Sequence, residues 1–236
     1  FDYLGNEKRD LHVWREARRA IVVGSQNLAD QASALTTMEH HFPVEKISLS
    51  VLLKSVRAHQ WAKNALIFVP LFTAQQFTHA SSVFNALVAF LVFCMISSAT
   101  YLINDLFDLD SDRRHDTKRF RPLAAGTLDI PTALLIVLIL GISGLALSLI
   151  FLPVYFLFSL FLYVFLTLLY SYKFKTLQTI DVISLASLFT LRVISGAAAI
   201  DVKISFWLLS FSMFMFLSLA LVKRVTELNK LVAKNA

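Results

Sequence analysis

Charge is scarce in this sequence. Only 16% of its 236 residues are Asp, Glu, Lys or Arg, while 57% are hydrophobic; a soluble domain carries about a quarter charged residues. The apolar residues stand in long blocks, so the shortage of charge argues against a soluble globule and for an integral membrane protein. Cysteine is nearly missing. Cys94 is alone and lies inside an apolar run, which rules out a disulfide framework and marks it as an inert thiol within a helix. No signal-peptide pattern opens the chain, which begins at Phe1 rather than Met; the expectation is a piece of a longer protein. Acids are outnumbered, giving a formal charge of +6. That balance does not require nucleic acid, and no nucleic-acid partner is expected. In membrane proteins Lys and Arg gather in cytoplasmic loops and against anionic lipid.

The acids that are present are concentrated. Asn104-Asp105-Leu106-Phe107-Asp108-Leu109-Asp110-Ser111-Asp112 closes a membrane-length apolar run, Ser82–Ile103. Carboxylates at such a place are expensive and functional by default. If the helix continues through them, Asp105, Asp108 and Asp112 fall at i, i+3 and i+7 and share a face. Three carboxylates on one face call for a cation. Hard oxygen ligands suit Mg²⁺, held together with substrate phosphates. The stretch predicts a metal-diphosphate site at a membrane surface.

Six apolar runs are read as spans: about Trp61–Phe77 (short, with Pro70 inside), Ser82–Ile103, Pro131–Phe151, Val154–Tyr170, Ile180–Ile200 and Ser205–Val222. Gly141 and Gly144 allow close helix approach in the third. The tight Leu152-Pro153 turn predicts an antiparallel hairpin. Before the spans, Ala20–Val23 reads as a short buried strand, and Asn27 to His40 as a weak helix or linker. Val44 to Ala58 reads as an interfacial amphipathic helix carrying Lys46, Lys54 and Arg57. Lys and Arg follow the second, fourth and sixth runs and are absent after the first and third. The positive-inside rule therefore puts the acidic motif on the cytoplasmic side of the inner membrane.

Several polar groups lie on that side. Lys118, Arg119 and Arg121 follow the acids and suit phosphate oxygens; a solvated, charge-balanced loop is the plainer reading. Tyr170, Tyr172, Lys175 and Asp181 form a second cluster. It can donate to phosphate, or it is an aromatic belt with snorkelling lysine. Lys223, Arg224 and Glu227 end the sixth run, either as a site or as a positive flank with an i, i+3 pair. Lys63 and Asn64 open the first, where Lys63 is an interface anchor or a contact for a lipid phosphate. Arg192 sits deep in the fifth and is expected to face the bundle interior, touching substrate or a partner group.

These residues carry a resemblance. The Asn104-Asp105-x-x-Asp108-x-x-x-Asp112 motif, the Arg121-Pro122-Leu123-Ala124-Ala125-Gly126 run and the Tyr/Lys cluster resemble the UbiA-type membrane prenyltransferase superfamily. Gln60-Trp61-Ala62-Lys63-Asn64, His115-x-Thr117-Lys118-Arg119-x-Arg121-Pro122 and Lys223-Arg224-x-x-Glu227 are similar to its decaprenyl-phosphate phosphoribosyltransferase branch, which implies a place in cell-wall biosynthesis. The resemblance covers about residues 50–236 and implies an all-α bundle of nine transmembrane helices around a cavity open to cytoplasm and lipid. It also implies that the chain ends about three helices short. Asn104, Asp105, Asp108, Asp112 and Glu227 would ligate Mg²⁺, with Glu227 standing for a second acidic motif. Tyr170 and Lys175 are five apart where the superfamily's usual spacing is four, so the roles of Tyr170 and Tyr172 stay open.

The start of the chain, from Tyr3-Leu4-Gly5-Asn6 to Asp10, is similar to the last motif of haloacid dehalogenase-type phosphatases. Residues 1–25 are therefore expected to be the remnant of an α/β phosphatase-like domain, 26–45 a linker, and 46–236 the transferase domain. The expected activity is phosphoribosyl transfer from phosphoribosyl pyrophosphate to a polyprenyl phosphate. Lys63, Asn64, Arg119, Tyr170, Tyr172, Lys175, Asp181, Arg192, Lys223 and Arg224 would contact substrate; Asp105, Asp108, Asp112, Lys118 and Arg121 would serve the chemistry. The expected partners are the lipid bilayer, an isoprenoid lipid, and a donor that is a soluble phosphorylated sugar or an isoprenoid diphosphate. Prenyl transfer to an aromatic acceptor is the alternative, since it uses the same metal-diphosphate logic. A non-catalytic transporter or scaffold is a second.

Overall fold

In a computed structural model describing residues 1–43, 47–173 and 178–235, the chain divides after Ser48 into two units. In the first, β1 (Asp2–Gly5), β2 (Arg19–Gly24) and β3 (Thr37–Pro43) form a parallel sheet in that order. Parallel neighbours need crossovers, which α1 (Leu11–Glu16) and α2 (Gln26–Ser33) supply. Ala20 and Val22, two apart on β2, share the face that packs on Trp14, Leu28, Ala29 and Ala32. Ser25 starts α2 by accepting the Leu28 N–H at 3.3 Å.

The strand expected at Ala20–Val23 is part of β2. Residues 26–43, expected to link two domains, instead form α2 and β3 and complete this sheet. The reason is visible in β3. It is an edge strand with no buried residue, so its Thr37–Phe42 sequence carries no apolar alternation to announce it.

The second unit is a bundle of α-helices. α3 (Leu49–Ser55) leads to a 3-10 stretch, Ala58–Phe68, that runs into α4 (Val69–Thr73); then come α5 (Ala80–Phe107), α6 (Leu109–Arg114), α7 (Ile130–Phe151), α8 (Val154–Tyr172), α9 (Gln178–Ala199) and α10 (Phe206–Asn235). Among the described residues, α5, α7, α8, α9 and α10 are long and apolar enough to cross a membrane. The chain is thus an integral membrane protein. The segment expected as the first span differs. Pro70 sits in the opening turn of α4, where its missing N–H costs no helical bond, and the residues before it tighten into 3-10 geometry.

α5 and α9 are the inner helices, each 61% buried over its spanning window against 11% for α7. Leu135, Leu138 and Ile142 of α7 face outward, as a lipid-facing surface requires. Phe93, Phe156, Tyr163, Leu188 and Leu191 fill the centre between α5, α8 and α9. The 3-10 stretch lies so close to α9 that a Cβ on Gly196 would stand 2.1 Å from the Ile67 carbonyl oxygen. The loop before α7 is pinned by Leu123 and Leu128, buried against Leu102 and Ala133. Gly126 there takes a left-handed φ of +76°, open to glycine at no steric cost.

Candidate active site

α5 ends at Phe107, and Asp108 joins it to α6 with φ −91° and ψ 5°. The helical path nearly continues, since the Asp108 N–H reaches Asn104 O at 2.9 Å and the Asp112 N–H reaches Asp108 O at 2.8 Å. Asp105 and Asp112, seven apart, therefore share a face. It is a face turned into the protein, where they are 5% and 1% exposed. Asp108 turns elsewhere: with Asn104 it lines a cavity, and Asn104 Nδ2 donates to Asp108 Oδ2 at 3.3 Å. The expected meeting of three carboxylates does not occur among the described residues, where no three His, Cys, Asp or Glu side chains are placed to hold an ion together.

Arginines account for the difference. Arg121 Nη1 lies 3.1 Å from Asp105 Oδ1 and 2.5 Å from Asp112 Oδ2. Arg57 also donates to Asp105, and Lys118 Nζ is 3.9 Å from Asp112 Oδ1. That last oxygen is buried and accepts no hydrogen bond from the described residues. Two buried carboxylates would repel; the guanidinium between them supplies the compensating charge that burial demands. Arg57 reaches the pair from a left-handed backbone, φ 51°, with its guanidinium 5.2 Å from the centre of the Tyr101 ring.

The cavity encloses about 570 Å³ between α5, α8, α9, α10 and the 3-10 stretch. Six of its lining side chains are cations: Arg57, Lys63, Lys118, Arg121, Arg192 and Lys223. Asp108 is the one carboxylate among the described lining residues. Leu185, Leu188, Phe189, Phe216 and Leu219 add apolar lining, and Phe189 lies against the cations, its ring centre 5.9 Å from Lys63 Nζ and 5.5 Å from the Arg192 guanidinium. Such a lining has the chemistry to take a ligand that combines anionic and apolar parts.

Arg192 is 4% exposed yet lines the cavity. Its Nε donates to Asn64 Oδ1 at 2.9 Å, Nη1 to Leu188 O at 2.7 Å, and Nη2 to the Tyr163 hydroxyl at 3.0 Å. Its guanidinium also sits 4.9 Å from the Tyr163 ring centre and 5.5 Å from that of Phe189. Asn64 is held in turn. Its Nδ2 donates to Ser97 Oγ at 3.2 Å and to Cys94 Sγ at 3.4 Å. The network bridges α5, α8, α9 and the 3-10 stretch, as a buried charge must if it is to be compensated.

The other candidates fall into three groups. Lys63, Lys223, Tyr170 and Asn104 line the cavity with Arg192, and Tyr170 donates to Asp181 Oδ1 at 2.7 Å. Tyr172 is 88% exposed, Arg119 rests its guanidinium over Phe120, and Arg224 does not line the cavity. Lys175 and the side chain of Glu227 lie outside the described residues. Sequence reasoning gave no site role to Arg57, Gln60, Tyr101, Tyr163 or Thr167, all of which line the cavity. A signal was available for two of them: Tyr163 and Thr167 precede Tyr170 by seven and three residues and so share its helix face.

The donor set fits Mg²⁺. This ion is usually held by one or two carboxylates together with substrate phosphates and water. Asp108 offers one carboxylate and Asn104 an amide oxygen beside it, in a lining that also carries six cations.

Residues 65–230 match the model of the UbiA prenyltransferase family. The uncharacterized protein y4nM of Sinorhizobium fredii is 38% identical over 96% of this chain and 44% of its own length. The decaprenyl-phosphate phosphoribosyltransferase of Corynebacterium glutamicum is 36% identical over 75% of this chain and 54% of its own. The chain spans about half the length of these curated relatives. Among solved structures, the digeranylgeranylglyceryl phosphate synthase superimposes with a TM-score of 0.65 at 24% identity, covering 77% of this chain and 64% of that one. A UbiA homolog from Archaeoglobus fulgidus, bound to DMAPP and Mg²⁺, gives 0.60 at 22% identity, covering 71% and 60%. Both share the fold.

Proposed function

The chain belongs to the UbiA prenyltransferase family, and from that premise we propose that its cavity transfers a phosphoribosyl group from phosphoribosyl pyrophosphate to a polyprenyl phosphate. The observation that carries this reading is the charge of the cavity wall, six cations facing one carboxylate. That excess suits two phosphorylated substrates held together. The similarity to a decaprenyl-phosphate phosphoribosyltransferase supports the same donor and acceptor.

Asn104 and Asp108 would hold Mg²⁺, which when bound neutralises charge on the donor's diphosphate. Arg57, Lys118 and Arg121 take phosphate oxygens that remain. As the bond from the anomeric carbon to diphosphate breaks, positive charge develops on the sugar, and an oxygen of the acceptor phosphate forms the new bond. Diphosphate leaves with the electron pair. Lys63, Arg192 and Lys223 orient the acceptor phosphate, while Leu188, Phe189 and Phe216 shelter its isoprenoid stem and exclude water. Catalysis by this wall is positioning and electrostatic stabilisation. The basic loops after the second, fourth and sixth apolar runs support a reading in which the cavity mouth opens to the cytoplasm from the inner membrane.

A second reading is prenyl transfer to an aromatic acceptor. The apolar lining favours it, because an allylic cation needs such shelter. One experiment separates the two. The full-length protein in detergent with Mg²⁺ is given polyprenyl phosphate and labelled phosphoribosyl pyrophosphate. A parallel reaction holds labelled prenyl diphosphate and an aromatic acid. Lipid-soluble sugar label in the first alone supports the proposal. Prenylated acid in the second alone overturns it in favour of prenyl transfer. Transport or binding unchanged in Asp108→Ala, with neither product, would mean a non-catalytic protein. For the first unit, the proposal is the end of a phosphatase-like domain. β1 runs into Gly5-Asn6 and Asp10, whose carboxylate accepts the Asn6 and Glu7 amides at 2.7 and 2.9 Å.

A further inference from the structure

The acidic motif divides by direction. Asn104 and Asp108 look into the cavity. Asp105 and Asp112 are buried behind its lining and close on Arg121, and Asp105 also on Arg57. The two arginines, by contrast, both line the cavity. An unsupported Arg side chain samples many rotamers, and ordering it for each bond costs free energy. A guanidinium already gripped by buried carboxylates on one edge keeps its other N–H groups aimed at the cavity.

Resting on the diphosphate reading above, we propose that Asp105 and Asp112 are positioning residues, which hold Arg57 and Arg121 against the donor's diphosphate and leave the metal to Asn104 and Asp108. The four residues are then two functional pairs interleaved on one helical path. Helical spacing alone does not make this split, since Asp108 stands three residues from Asp105 and four from Asp112; the closure of Arg57 and Arg121 on Asp105 and Asp112 does. Burial makes the division firm: an aspartate at 1% exposure already bonded to an arginine gives up that partner only at the cost of an unpaired buried charge.

The test uses the full-length protein in detergent, with two readouts. Mn²⁺ binding in the presence of diphosphate is followed by electron paramagnetic resonance, and donor KM and kcat by transfer. Asp108→Asn is expected to weaken Mn²⁺ binding at least tenfold. Asp112→Asn and Arg121→Gln are expected to keep Mn²⁺ affinity within about twofold and to raise donor KM by about tenfold or more, the scale of a lost charge-assisted bond. The double variant Asp112→Asn with Arg121→Gln should be no worse than either single variant, because both remove the same held cation. In Asp112→Asn alone Arg121 keeps Asp105 but loses one of its two carboxylates; the double variant removes that cation as well and keeps the comparison readable if the single variant is poorly stable. If Asp112→Asn or the double variant loses Mn²⁺ binding as Asp108→Asn does, the proposal is overturned while transfer by the wild type still stands. If the wild type transfers no phosphoribosyl group, the functional reading fails, and the Mn²⁺ comparison still decides which aspartates hold the ion.

Discussion

Tyr170, near the end of α8, donates its hydroxyl proton to Asp181 Oδ1 at the start of α9, 2.7 Å away. The two residues stand on opposite sides of the α8–α9 connection, and their bond ties the helices together beside the cavity that Tyr170 lines. A hydrogen bond to a carboxylate contributes about 1.5–3 kcal/mol. Tyr170→Phe and Asp181→Asn should therefore each lower the unfolding free energy in detergent, and the double variant should add little to either. A coupling energy of about 1.5 kcal/mol from that cycle is expected. Coupling near zero would mean that each side chain works through other groups.

Much of the bundle was legible because membrane helices announce themselves by length and composition. α5, α7, α8, α9 and α10 all fall on apolar runs read from the sequence. The acidic motif was legible as a place but not as an arrangement. Spacing put Asp105, Asp108 and Asp112 on a common face; it could not say that Arg57, far back in the chain, and Arg121 would pair with two of them and leave Asp108 to the cavity. Such pairing is a tertiary fact. The same holds for Arg192. Its depth in an apolar run showed that it must be compensated, whereas Asn64 and Tyr163 as its partners came from the packing of three separate segments. β3 was hidden for a different reason, since an exposed edge strand buries nothing and leaves no pattern.

Two glycines should answer oppositely to alanine. At Gly196 a Cβ would lie 2.1 Å from the Ile67 carbonyl oxygen, which is backbone and cannot swing aside. Gly196→Ala should push α9 off the 3-10 stretch and cost about 3 kcal/mol. Gly141 of α7 has nothing among the described residues within 4 Å of its Cβ position. Gly141→Ala should be neutral or stabilise by up to about 1 kcal/mol, through helix propensity. Thermal unfolding of both variants in the same detergent checks the contrast, and equal losses would contradict the packing described.

The first unit carries a pH-dependent loop. The Asp10 carboxylate accepts the Glu7 and Asn6 amides and the Tyr3 hydroxyl, which hold it below its ordinary value of 3.8 despite partial burial. A carboxylate depressed on folding stabilises the folded form above its unfolded value and ceases to do so as pH falls through the folded one. The loop should thus stay closed at 3.8 and open only below it. Following the Asn6 and Glu7 amide resonances down through that range measures the midpoint. A midpoint at or above 3.8 contradicts the hydrogen bonding, and Asp10→Asn should remove the transition.

Arg192 offers the sharpest separation of fold from function. Asn64→Leu keeps the volume of the side chain but leaves one guanidinium N–H without its acceptor at a position only 1% exposed. An unsatisfied group beside a buried charge costs about 2–3 kcal/mol, so the variant should unfold at lower temperature. Arg192→Lys keeps the charge and loses the planar fork that reaches Asn64, Leu188 and Tyr163 at once. A lysine ammonium cannot serve three acceptors in those directions. Transfer should fall more than about tenfold, the value of one such bond, and the loss should appear mainly in the KM for the lipid phosphate if Arg192 orients the acceptor. A variant that is stable and keeps full activity with lysine would show that only charge matters at that point, and would remove Arg192 from the orientation of substrate.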